Sequence, residues 1–352
     1  MVFSSFRSDN FEQVVFCNDS RVGLKAIISI HSRALGPATG GCRMWNYASE
    51  QEALTDVLRL SKGMTYKNSI SGLNWGGGKA VIIGDSKTQK SPALLERYGE
   101  FVDRLGGNYI TAKDVGIGGE DLKKVKNKTK HVLGIEGETG SSGDPSPATA
   151  WGVYYGMKAS AKFALGTNSL KGMRIAMQGL GSVSYYMLEH LYAEGATVIG
   201  CDIDEAAVKR ATDKYKIEIV KPEQIYDVPC DIFAPCAMGA SISAQTLPRL
   251  KTKIVAGAAN NQLATPEEGI ELTRRGIVYA PDYAINAGGV INIYYESVQF
   301  GGYNRTKAYA HVSQIEKTIT EILARAQSEK KPTSEIADRI AEERVAKGTL
   351  TL

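Results

Sequence analysis

Short apolar runs alternate with segments of helical periodicity along the first third of the chain. The runs LKAIISI at 24–30 and AVII at 80–83 have the length of buried strands. Amphipathic segments lie between and after them, and one of these begins with Ser91 followed by Pro92, a typical helix start. Strands that alternate with helices predict the α/β fold class.

The same alternation continues in the second half of the chain. Apolar runs at 231–234, 253–257 and 277–280 are separated by helix-compatible segments, as a doubly wound parallel sheet requires. The segment 137–147, GETGSSGDPSP, concentrates Gly, Ser and Pro, which indicates a loop at a domain boundary. A length of 352 residues is typical of two such domains.

Composition and charge exclude several classes of function. The chain has 42 Lys and Arg against 38 Asp and Glu, and its basic run at 123–130 contains no aromatic residue, so we expect no nucleic-acid partner. It has no apolar run of membrane-spanning length and no signal-peptide pattern at its start, so we expect no membrane association. The five scattered cysteines suit a reducing compartment, the cytoplasm, and no histidine lies near Cys230 and Cys236, so we expect no metal.

One segment of the second half has the pattern of a nucleotide-binding βαβ unit. The strand MRIAMQ leads into the turn GLGS, a helix follows, and the strand TVIGC ends before Asp202. Gly179 permits the tight turn, and Gly181 lets the backbone approach a pyrophosphate. The helix start offers unpaired N–H groups to the phosphates. This assigns cofactor binding to two further residues, Ser182 and Val183.

The residue after the second strand predicts which cofactor binds. The Asp202 carboxylate can accept hydrogen bonds from the ribose hydroxyls and would repel a 2′-phosphate, which favours NAD over NADP. Asp204 is an alternative ribose partner or a surface charge. Ser184 replaces the third glycine of the GxGxxG motif, so the motif alone is also compatible with a tight turn that binds no ligand.

A second informative segment, residues 62–82, contains Lys67 and Lys79, with three glycines before the second lysine. This is not a phosphate-binding P-loop, because no Ser or Thr follows Lys79 and Leu73 stands where the first glycine should be. The glycines free the backbone to line a cleft. A lysine that enters a strand towards such a cleft can be desolvated and serve as a base.

A third segment, NYITAKDVG, adds a carboxylate. Period-two alternation places Ala112 and Asp114 on one face of a strand and Lys113 on the other, so Asp114 can face the cleft. Considered singly, the two lysines could be surface charges and Asp114 a cap or turn residue.

Eight sequence blocks, in this order along nearly the whole chain, resemble the glutamate/leucine/phenylalanine/valine dehydrogenase superfamily, and most closely its leucine-type members. The blocks are GGCRM, GMTYKNSISGLNWGGGKAVI, YITAKDVG, GSSGDPSP, MQGLGSV, DIFAPCAMGA, AGAANNQL and YAPDYAINAGGVIN. The resemblance implies two α/β domains flanking a cleft. The N-terminal substrate-binding and oligomerisation domain would comprise residues 1–137 plus 330–352, and the C-terminal Rossmann-type NAD-binding domain residues 138–329.

The resemblance also implies roles for individual residues. Lys67 would hold the substrate α-carboxylate beside Gly40 and Gly41. Lys79 would be the general base that activates water, and Asp114 would exchange protons with the amine. The residues beside the nicotinamide would be Cys236, Ala237 and Asn261. The side-chain pocket would be lined by Thr39, Gly40, Met64, Ala112, Val290 and Ile293.

These roles imply NAD-dependent oxidative deamination of an apolar L-amino acid, with leucine and other branched-chain amino acids preferred, to the 2-oxo acid, ammonia and NADH. The pocket offers no partner for a distal carboxylate, which disfavours glutamate. Leucine-type members tend to have an aliphatic residue where Thr39 stands, and an acidic residue where Lys113 stands. The first departure leaves specificity open.

The same residues leave three other interpretations to consider. A dehydrogenase of phenylalanine or another aromatic amino acid is the first alternative. A catalytically silent NAD-binding regulator is the second, and the intact lysines and aspartate argue against it. A 2-hydroxy-acid dehydrogenase, the third alternative, would need a histidine–carboxylate pair, and the four histidines lie in no such motif.

The resemblance to leucine-type members also implies that the protein forms a homo-oligomer, and specifically an octamer.

Overall fold

The computed structural model describes residues 10–135, 137, 140–297 and 302–348. The chain forms two compact units. The first consists of Met1–Gly143, Ile293–Tyr303 and Ala341–Leu352, and the second of Asp144–Asn292 and Asn304–Ile340. Residue 138, where we expected the second domain to begin, lies outside the described residues, as do residues 1–9 and 349–352 of the expected first domain.

The units differ from the expected domains in three segments. Residues 140–143, which we expected in the second domain, belong to the first unit. Ile293–Tyr303 belongs to the first unit and residues 330–340 belong to the second, the reverse of the expectation in both cases. The changes of unit at 292/293 and at 340/341 fall inside continuous helices. A continuous helical pattern has no break in periodicity, so a boundary of this kind leaves no local signal.

The first unit is built on a five-stranded mixed sheet. Its strands are β1 (Gln13–Asp19), β2 (Leu24–Ser32), β3 (Ala38–Trp45), β4 (Gly76–Ile83) and β5 (Tyr109–Lys113), in the order β1-β2-β4-β3-β5. β2 is antiparallel to β1 and to β4, whereas β3 is parallel to both of its neighbours. β3 and β4, the strands of the glycine-rich motifs, are therefore adjacent, and β5 lies beside β3.

Helices cover both faces of this sheet. They are α1 (Glu50–Ile70), α2 (Pro92–Asp103) and α3 (Gly119–Lys126). Alternation along β2 sends Ile27 to the α1 face and Ile28 to the face of α2 and α3, and both side chains are buried. Ser91 caps α2 by accepting a 3.2 Å hydrogen bond from the backbone N–H of Leu94, as its position before Pro92 predicted.

The second unit is built on six parallel strands. They are β6 (Arg174–Gln178), β7 (Thr197–Cys201), β8 (Glu218–Ile219), β9 (Ile232–Pro235), β10 (Ile254–Val255) and β11 (Val278–Tyr279), in the order β11-β10-β9-β6-β7-β8. The strand order reverses between β6 and β9, and nucleotides bind at such a point in doubly wound folds. The sheet confirms the predicted α/β class and its Rossmann-type half. β8 was not predicted, because it has two residues and both are exposed.

The helices of the second unit connect and cover these strands. They are α4 (Ser146–Leu165), α5 (Ser182–Glu194), α6 (Glu205–Lys214), α7 (Pro266–Arg274), α8 (Asp282–Ile285), α9 (Gly288–Tyr294), α10 (Arg305–Val312), α11 (Ile315–Glu329) and α12 (Thr333–Lys347). The last two residues of α9 and the last seven of α12 belong to the first unit.

The C-terminal part of α12 binds the end of α1 within the first unit. The guanidinium of Arg344 donates to the carbonyl oxygens of Ser69 at 3.0 Å and Leu73 at 2.8 Å, and to Asn74 Oδ1 at 3.0 Å. Ser69 lies in the last turn of α1, where carbonyls lack an i+4 partner in the helix, and its carbonyl also accepts a 3.0 Å hydrogen bond from the N–H of Gly72. Leu73 and Asn74 follow the end of α1. Arg344 therefore caps the helix that carries Lys67.

In the described part of the chain, no helix is long and apolar enough to cross a membrane. The same residues contain no group of three or more His, Cys, Asp or Glu placed to hold a metal ion. All five cysteines are free thiols.

Candidate active site

Glycines bring β3, β4 and β5 close together at the candidate site of the first unit. A Cβ atom at Gly40 would collide with the carbonyl oxygen of Gly78, and one at Gly41 would collide with that of Lys113. The phenol of Tyr109 donates a 2.6 Å hydrogen bond to the carbonyl oxygen of Gly40. The GG of GGCRM is thus required by packing in addition to any contact with substrate.

Lys79 and Asp114 are in direct contact. Lys79 lies in β4 and is 5% exposed, and its Nζ donates to Asp114 Oδ2. Asp114 follows β5 and begins a tight turn, in which its carbonyl oxygen accepts a 3.0 Å hydrogen bond from Ile117 and Gly116 has φ +79°. The side chain of Asp114 is 18% exposed. The structure thus brings together the two residues that the sequence proposed for catalysis.

A third charged residue, Arg43, completes this cluster. Its Nε donates to Asp114 Oδ1 at 3.1 Å, and its Nη1 donates to Asp56 Oδ2 at 3.0 Å. Burial by itself would raise the pKa of the Asp114 carboxyl, but the positive charges of Lys79 and Arg43 outweigh burial and lower it below its ordinary value. Sequence reasoning missed Arg43 and Asp56 as functional candidates, although Arg43 lies inside the GGCRM string.

The other expected substrate residues of the first unit lie on the elements around this cluster. Lys67 is half-buried on the last turns of α1. Met64 lies one turn earlier on α1, next to Gly40: a Cβ atom placed on that glycine would be 3.2 Å from Met64 Cγ. Thr39 is buried in β3 between Gly77 of β4 and Ile110 of β5. Ala112 is buried in β5 opposite Gly41.

The last two expected pocket residues lie on α9. Val290 and Ile293 are three positions apart, so they share one face of the helix, and both are half-buried. Val290 belongs to the second unit and Ile293 to the first. Ile293 lies against Gly134, and the next residue, Tyr294, packs edge-on against Trp75 with ring centroids 4.8 Å apart.

The glycine turn of the second unit has the geometry that its motif predicted. Gly179 adopts φ +98° and donates a 2.9 Å hydrogen bond to the carbonyl oxygen of Cys201 at the end of β7. A Cβ at Gly179 would lie 2.8 Å from the Cβ of Ala237, so this turn needs glycine. Gly181 caps α5, and a Cβ there would meet no protein atom within 4 Å. The start of α5, formed by Ser182 and Val183, therefore opens onto free space.

The carboxylate of Asp202 is hydrogen-bonded to the backbone of this turn. It follows β7, and its Oδ2 accepts a 2.6 Å hydrogen bond from the backbone N–H of Leu180, between the two glycines. Its Oδ1 accepts a 2.9 Å hydrogen bond from the N–H of Asp204. The Asp204 side chain caps α6 by accepting from Ala206 at 2.9 Å. Of the two candidate ribose partners, Asp202 is the one bound to the glycine turn.

Two loops near the glycine turn carry the remaining expected cofactor residues. Cys236 follows β9, and its N–H donates to the carbonyl oxygen of Gln178 at 2.7 Å. Burial raises the pKa of its thiol to about 11. Asn261 adopts φ +51°, and its carbonyl oxygen accepts a 2.6 Å hydrogen bond from Ala240, which has φ +56°. Two non-glycine residues held in the left-handed region mark these loops as conformationally constrained.

The Asn261 loop is held by two amide side chains that the sequence analysis did not single out. Gln262 is fully buried and donates to the carbonyl oxygens of Gly257 at 2.8 Å and Ala259 at 3.0 Å. Asn286 donates to Asn260 Oδ1 at 2.8 Å. Both residues lie inside quoted blocks, but only the folded loop shows which carbonyls they bind.

Two family models match the chain. One, described as Glu/Leu/Phe/Val dehydrogenase, dimerisation domain, matches residues 11–131. The other, described as Glutamate/Leucine/Phenylalanine/Valine dehydrogenase, matches residues 140–212 and 202–351. Together they span most of both units.

Individual relatives match along nearly the whole chain. The leucine dehydrogenase of Geobacillus stearothermophilus is 52% identical over 344 residues, which are 98% of this chain and 93% of that protein. The phenylalanine dehydrogenase of Bacillus thermotolerans is 44% identical over 339 residues, 95% of this chain and 88% of that protein. The crystal structure of L-tryptophan dehydrogenase from Nostoc punctiforme superposes with a TM-score of 0.86 at 39% identity, covering 99% of each chain. These matches confirm the resemblance, and the chain belongs to the glutamate/leucine/phenylalanine/valine dehydrogenase family.

Proposed function

We propose that this protein catalyses the reversible, NAD-dependent oxidative deamination of an apolar L-amino acid, with leucine and other branched-chain amino acids preferred. The products are the 2-oxo acid, ammonia and NADH. The observation that carries the proposal is the contact between buried Lys79 and Asp114 beside the glycine pair of β3. Deamination needs a base and a proton-exchanging group close together. The 52% identity to a leucine dehydrogenase supports the choice of substrate.

The charged residues of the first unit take three roles in this proposal. Lys67 holds the substrate α-carboxylate as a fixed cation. Asp114 takes a proton from the substrate amine, and Lys79 activates the water that attacks the oxidised α-carbon. The contact between Lys79 Nζ and Asp114 Oδ2 supports these roles, because it gives a proton a direct route between the two groups.

The second unit holds NAD in this proposal. Gly179, Gly181 and the start of α5 at Ser182 and Val183 receive the pyrophosphate, and the open space at Gly181 fits its close approach. Asp202 accepts hydrogen bonds from the adenosine ribose. The residues proposed beside the nicotinamide are Cys236, Ala237 and Asn261. When bound, NAD supplies the oxidation by accepting a hydride from the substrate α-carbon.

The proposed side-chain pocket explains the preference for apolar substrates. Its members, Thr39, Gly40, Met64, Ala112, Val290 and Ile293, include no cation that could pair with a distal carboxylate. Leaving that carboxylate unpaired disfavours glutamate. An aromatic amino acid is the second candidate substrate, because a tryptophan dehydrogenase matches 99% of the chain at 39% identity.

We further propose that the first unit binds substrate and mediates self-association. The description of the matched family segment, residues 11–131, as a dimerisation domain supports this role. An octamer is the proposed assembly, and light scattering of the purified protein tests it by molar mass.

We also propose a cytoplasmic location. The five free thiols support it, because the cytoplasm keeps thiols reduced.

A substrate panel tests the proposed activity. Purified protein is incubated with NAD or NADP and with leucine, isoleucine, valine, phenylalanine, tryptophan or glutamate, and NADH or NADPH formation is followed by absorbance. We expect the highest kcat/KM with NAD and the branched-chain amino acids. An aromatic preference would replace the substrate assignment and direct attention to Thr39. Silence across the panel, together with measurable NAD binding, would favour the regulator over the enzyme.

A further inference from the structure

The carboxylate of Asp114 has two oxygens in different surroundings. Oδ1 accepts hydrogen bonds from Arg43 Nε at 3.1 Å and from the backbone N–H of Val115 at 2.6 Å. Oδ2 contacts Lys79 Nζ. A carboxylate oxygen that accepts two fixed hydrogen bonds is a poor site for an additional proton, because protonation would break or weaken those bonds.

Arg43 is itself held in a fixed orientation. It lies in β3, and Nη1 donates to Asp56 Oδ2 at 3.0 Å while Nε is directed to Asp114. Asp56, on α1, also accepts a 2.8 Å hydrogen bond from the phenol of Tyr47 and another of 2.8 Å from Arg59. The planar guanidinium is thus clamped between two carboxylates, and this geometry is available to arginine but not to lysine.

We propose that Arg43 is a positioning residue that holds Oδ1 of Asp114, so that the carboxylate exchanges its proton through Oδ2, on the side of Lys79. This inference rests on the proposed function, in which Asp114 exchanges protons with the amine. Arg43 transfers no proton itself, because its guanidinium stays charged throughout the working pH range. It sets which oxygen reacts and keeps Asp114 ionised at lower pH.

The other titratable groups around Asp114 do not duplicate this role. Cys42 precedes Arg43 in β3, Tyr109 lies in β5, and Tyr47 follows β3, and all three are neutral in their ordinary form. Burial raises the pKa of the Cys42 thiol to about 12, and burial also raises the pKa values of the two phenols. Lys79 and Arg43 are the cations that act on the Asp114 carboxyl, and they do so from different strands.

The test compares three variants in the oxidative reaction with leucine and NAD. Arg43→Met removes the positive charge and the hydrogen bonds to Asp114 and Asp56. Arg43→Lys keeps the positive charge but cannot donate to both carboxylates from one planar group. Arg97→Met is the matched control, because Arg97 has nearly the same exposure, 21% against 23%, and also pairs with two carboxylates, Asp19 and Glu100. Both arginines belong to the first unit, but only Arg43 contacts Asp114.

For Arg43→Met we expect kcat to fall about ten- to a hundredfold through misplacement of the carboxylate. KM for leucine should change by less than about twofold, since Arg43 does not bind substrate in this proposal. Arg43→Lys should have an intermediate kcat, and Arg97→Met should have the kcat and KM of wild type.

A second measurement does not depend on turnover. Carbon-13 NMR of aspartate carboxyls follows the titration of Asp114 directly, and Asp114→Asn identifies its resonance. The Asp114 pKa should be higher in Arg43→Met than in wild type and unchanged in Arg97→Met.

If the wild-type protein turns over no amino acid, the proposed function fails while this titration still decides the role of Arg43. An unchanged Asp114 pKa in Arg43→Met, or a wild-type kcat in that variant, would overturn the inference. If Arg43→Met does not fold, Arg43→Lys decides the question, and a wild-type kcat in that variant overturns the positioning role.

Discussion

The hydroxyl of Ser184 donates a 2.7 Å hydrogen bond to the carbonyl oxygen of Gly179. Ser184 stands where the nucleotide-binding motif has its third glycine, and it is 1% exposed. The third glycine normally allows close packing of the helix on the strands. Here a small side chain fits because its polar atom is bonded inside the turn. The departure from the motif therefore leaves the glycine turn intact.

We predict that Ser184→Ala weakens NAD binding. Loss of this hydrogen bond should cost about 1 kcal/mol, which corresponds to about a fivefold higher Kd for NADH if the turn loosens. Fluorescence titration with NADH measures the effect. Ser160→Ala is the matched control, because Ser160 is also buried and donates to a glycine carbonyl, that of Gly156 at 2.8 Å, within α4. Equal NADH affinity in the two variants would show that the Ser184 bond does not support the nucleotide site.

We predict that Lys79→Ala lowers turnover by orders of magnitude and leaves NADH binding nearly unchanged. The substitution removes the proposed base, and general base catalysis contributes roughly a hundred- to ten-thousandfold. Lys79 lies in the first unit and the glycine turn in the second, so the nucleotide site keeps all its residues. Steady-state kinetics and NADH titration separate the two effects.

The control for this prediction is Lys90→Ala. Lys90 is also ion-paired, to Asp121 at 2.7 Å, and its side chain is 23% exposed. It should retain wild-type kcat. Turnover by Lys79→Ala close to that of wild type would rule out the assignment of Lys79 as base.

Sequence patterns predicted the parts of the structure that depend on neighbouring residues. The turn at Gly179 could be recognised because a positive φ and a close approach to Ala237 require glycine at that position. Lys79 could be singled out as a candidate base because three glycines precede it, and its catalytic role stays a prediction. The start of α2 could be predicted because Ser91 and Pro92, a capping residue and a proline at the first helical position, are adjacent in the sequence.

Features that join distant residues were not predictable in this way. Arg43 and Asp56 are 13 positions apart, on a strand and a helix, and Asp114 is 71 positions from Arg43. No periodicity connects such positions, so their contacts appear only in the folded chain. The interpretation of Asp114 as a turn residue and its interpretation as a catalytic group are also not exclusive, since it begins a tight turn and contacts Lys79.

We predict that Asp114 links stability to pH. Its folded-state pKa lies below the ordinary value of 3.8, so its ion pairs stabilise the folded state above that value and the contribution is lost as pH falls below it. Asp114→Asn leaves Lys79 and Arg43 together without their shared carboxylate. At neutral pH this should lower the free energy of unfolding by about 3–5 kcal/mol, the typical cost of breaking a buried pair.

Urea unfolding at a series of pH values checks this linkage. The difference between wild type and Asp114→Asn should be constant above about pH 5 and should narrow as the pH falls below the ordinary aspartate value. A difference that stays constant into the acid range would mean that the wild-type carboxyl does not titrate there. A difference that widens on acidification would contradict the direction of the shift.

The contact of Arg344 with the end of α1 predicts that the C-terminal helix supports substrate binding. Arg344 donates to the carbonyl oxygens of Ser69 and Leu73, close to Lys67, and burial lowers its pKa from the ordinary value. Arg344→Met removes the guanidinium donor from both carbonyls, although Ser69 still accepts from the N–H of Gly72, and this should cost about 1–3 kcal/mol of unfolding free energy. It should also raise KM for leucine more than the Kd of NADH, because Lys67 lies on the loosened turn.

The control is Arg339→Met, on the same helix. Arg339 forms a 2.6 Å ion pair with Glu329, and its side chain is 38% exposed. Breaking this pair should lower the free energy of unfolding by less than about 1 kcal/mol. If Arg344→Met changes stability and leaves the leucine KM at the wild-type value, α12 stabilises the first unit without positioning Lys67.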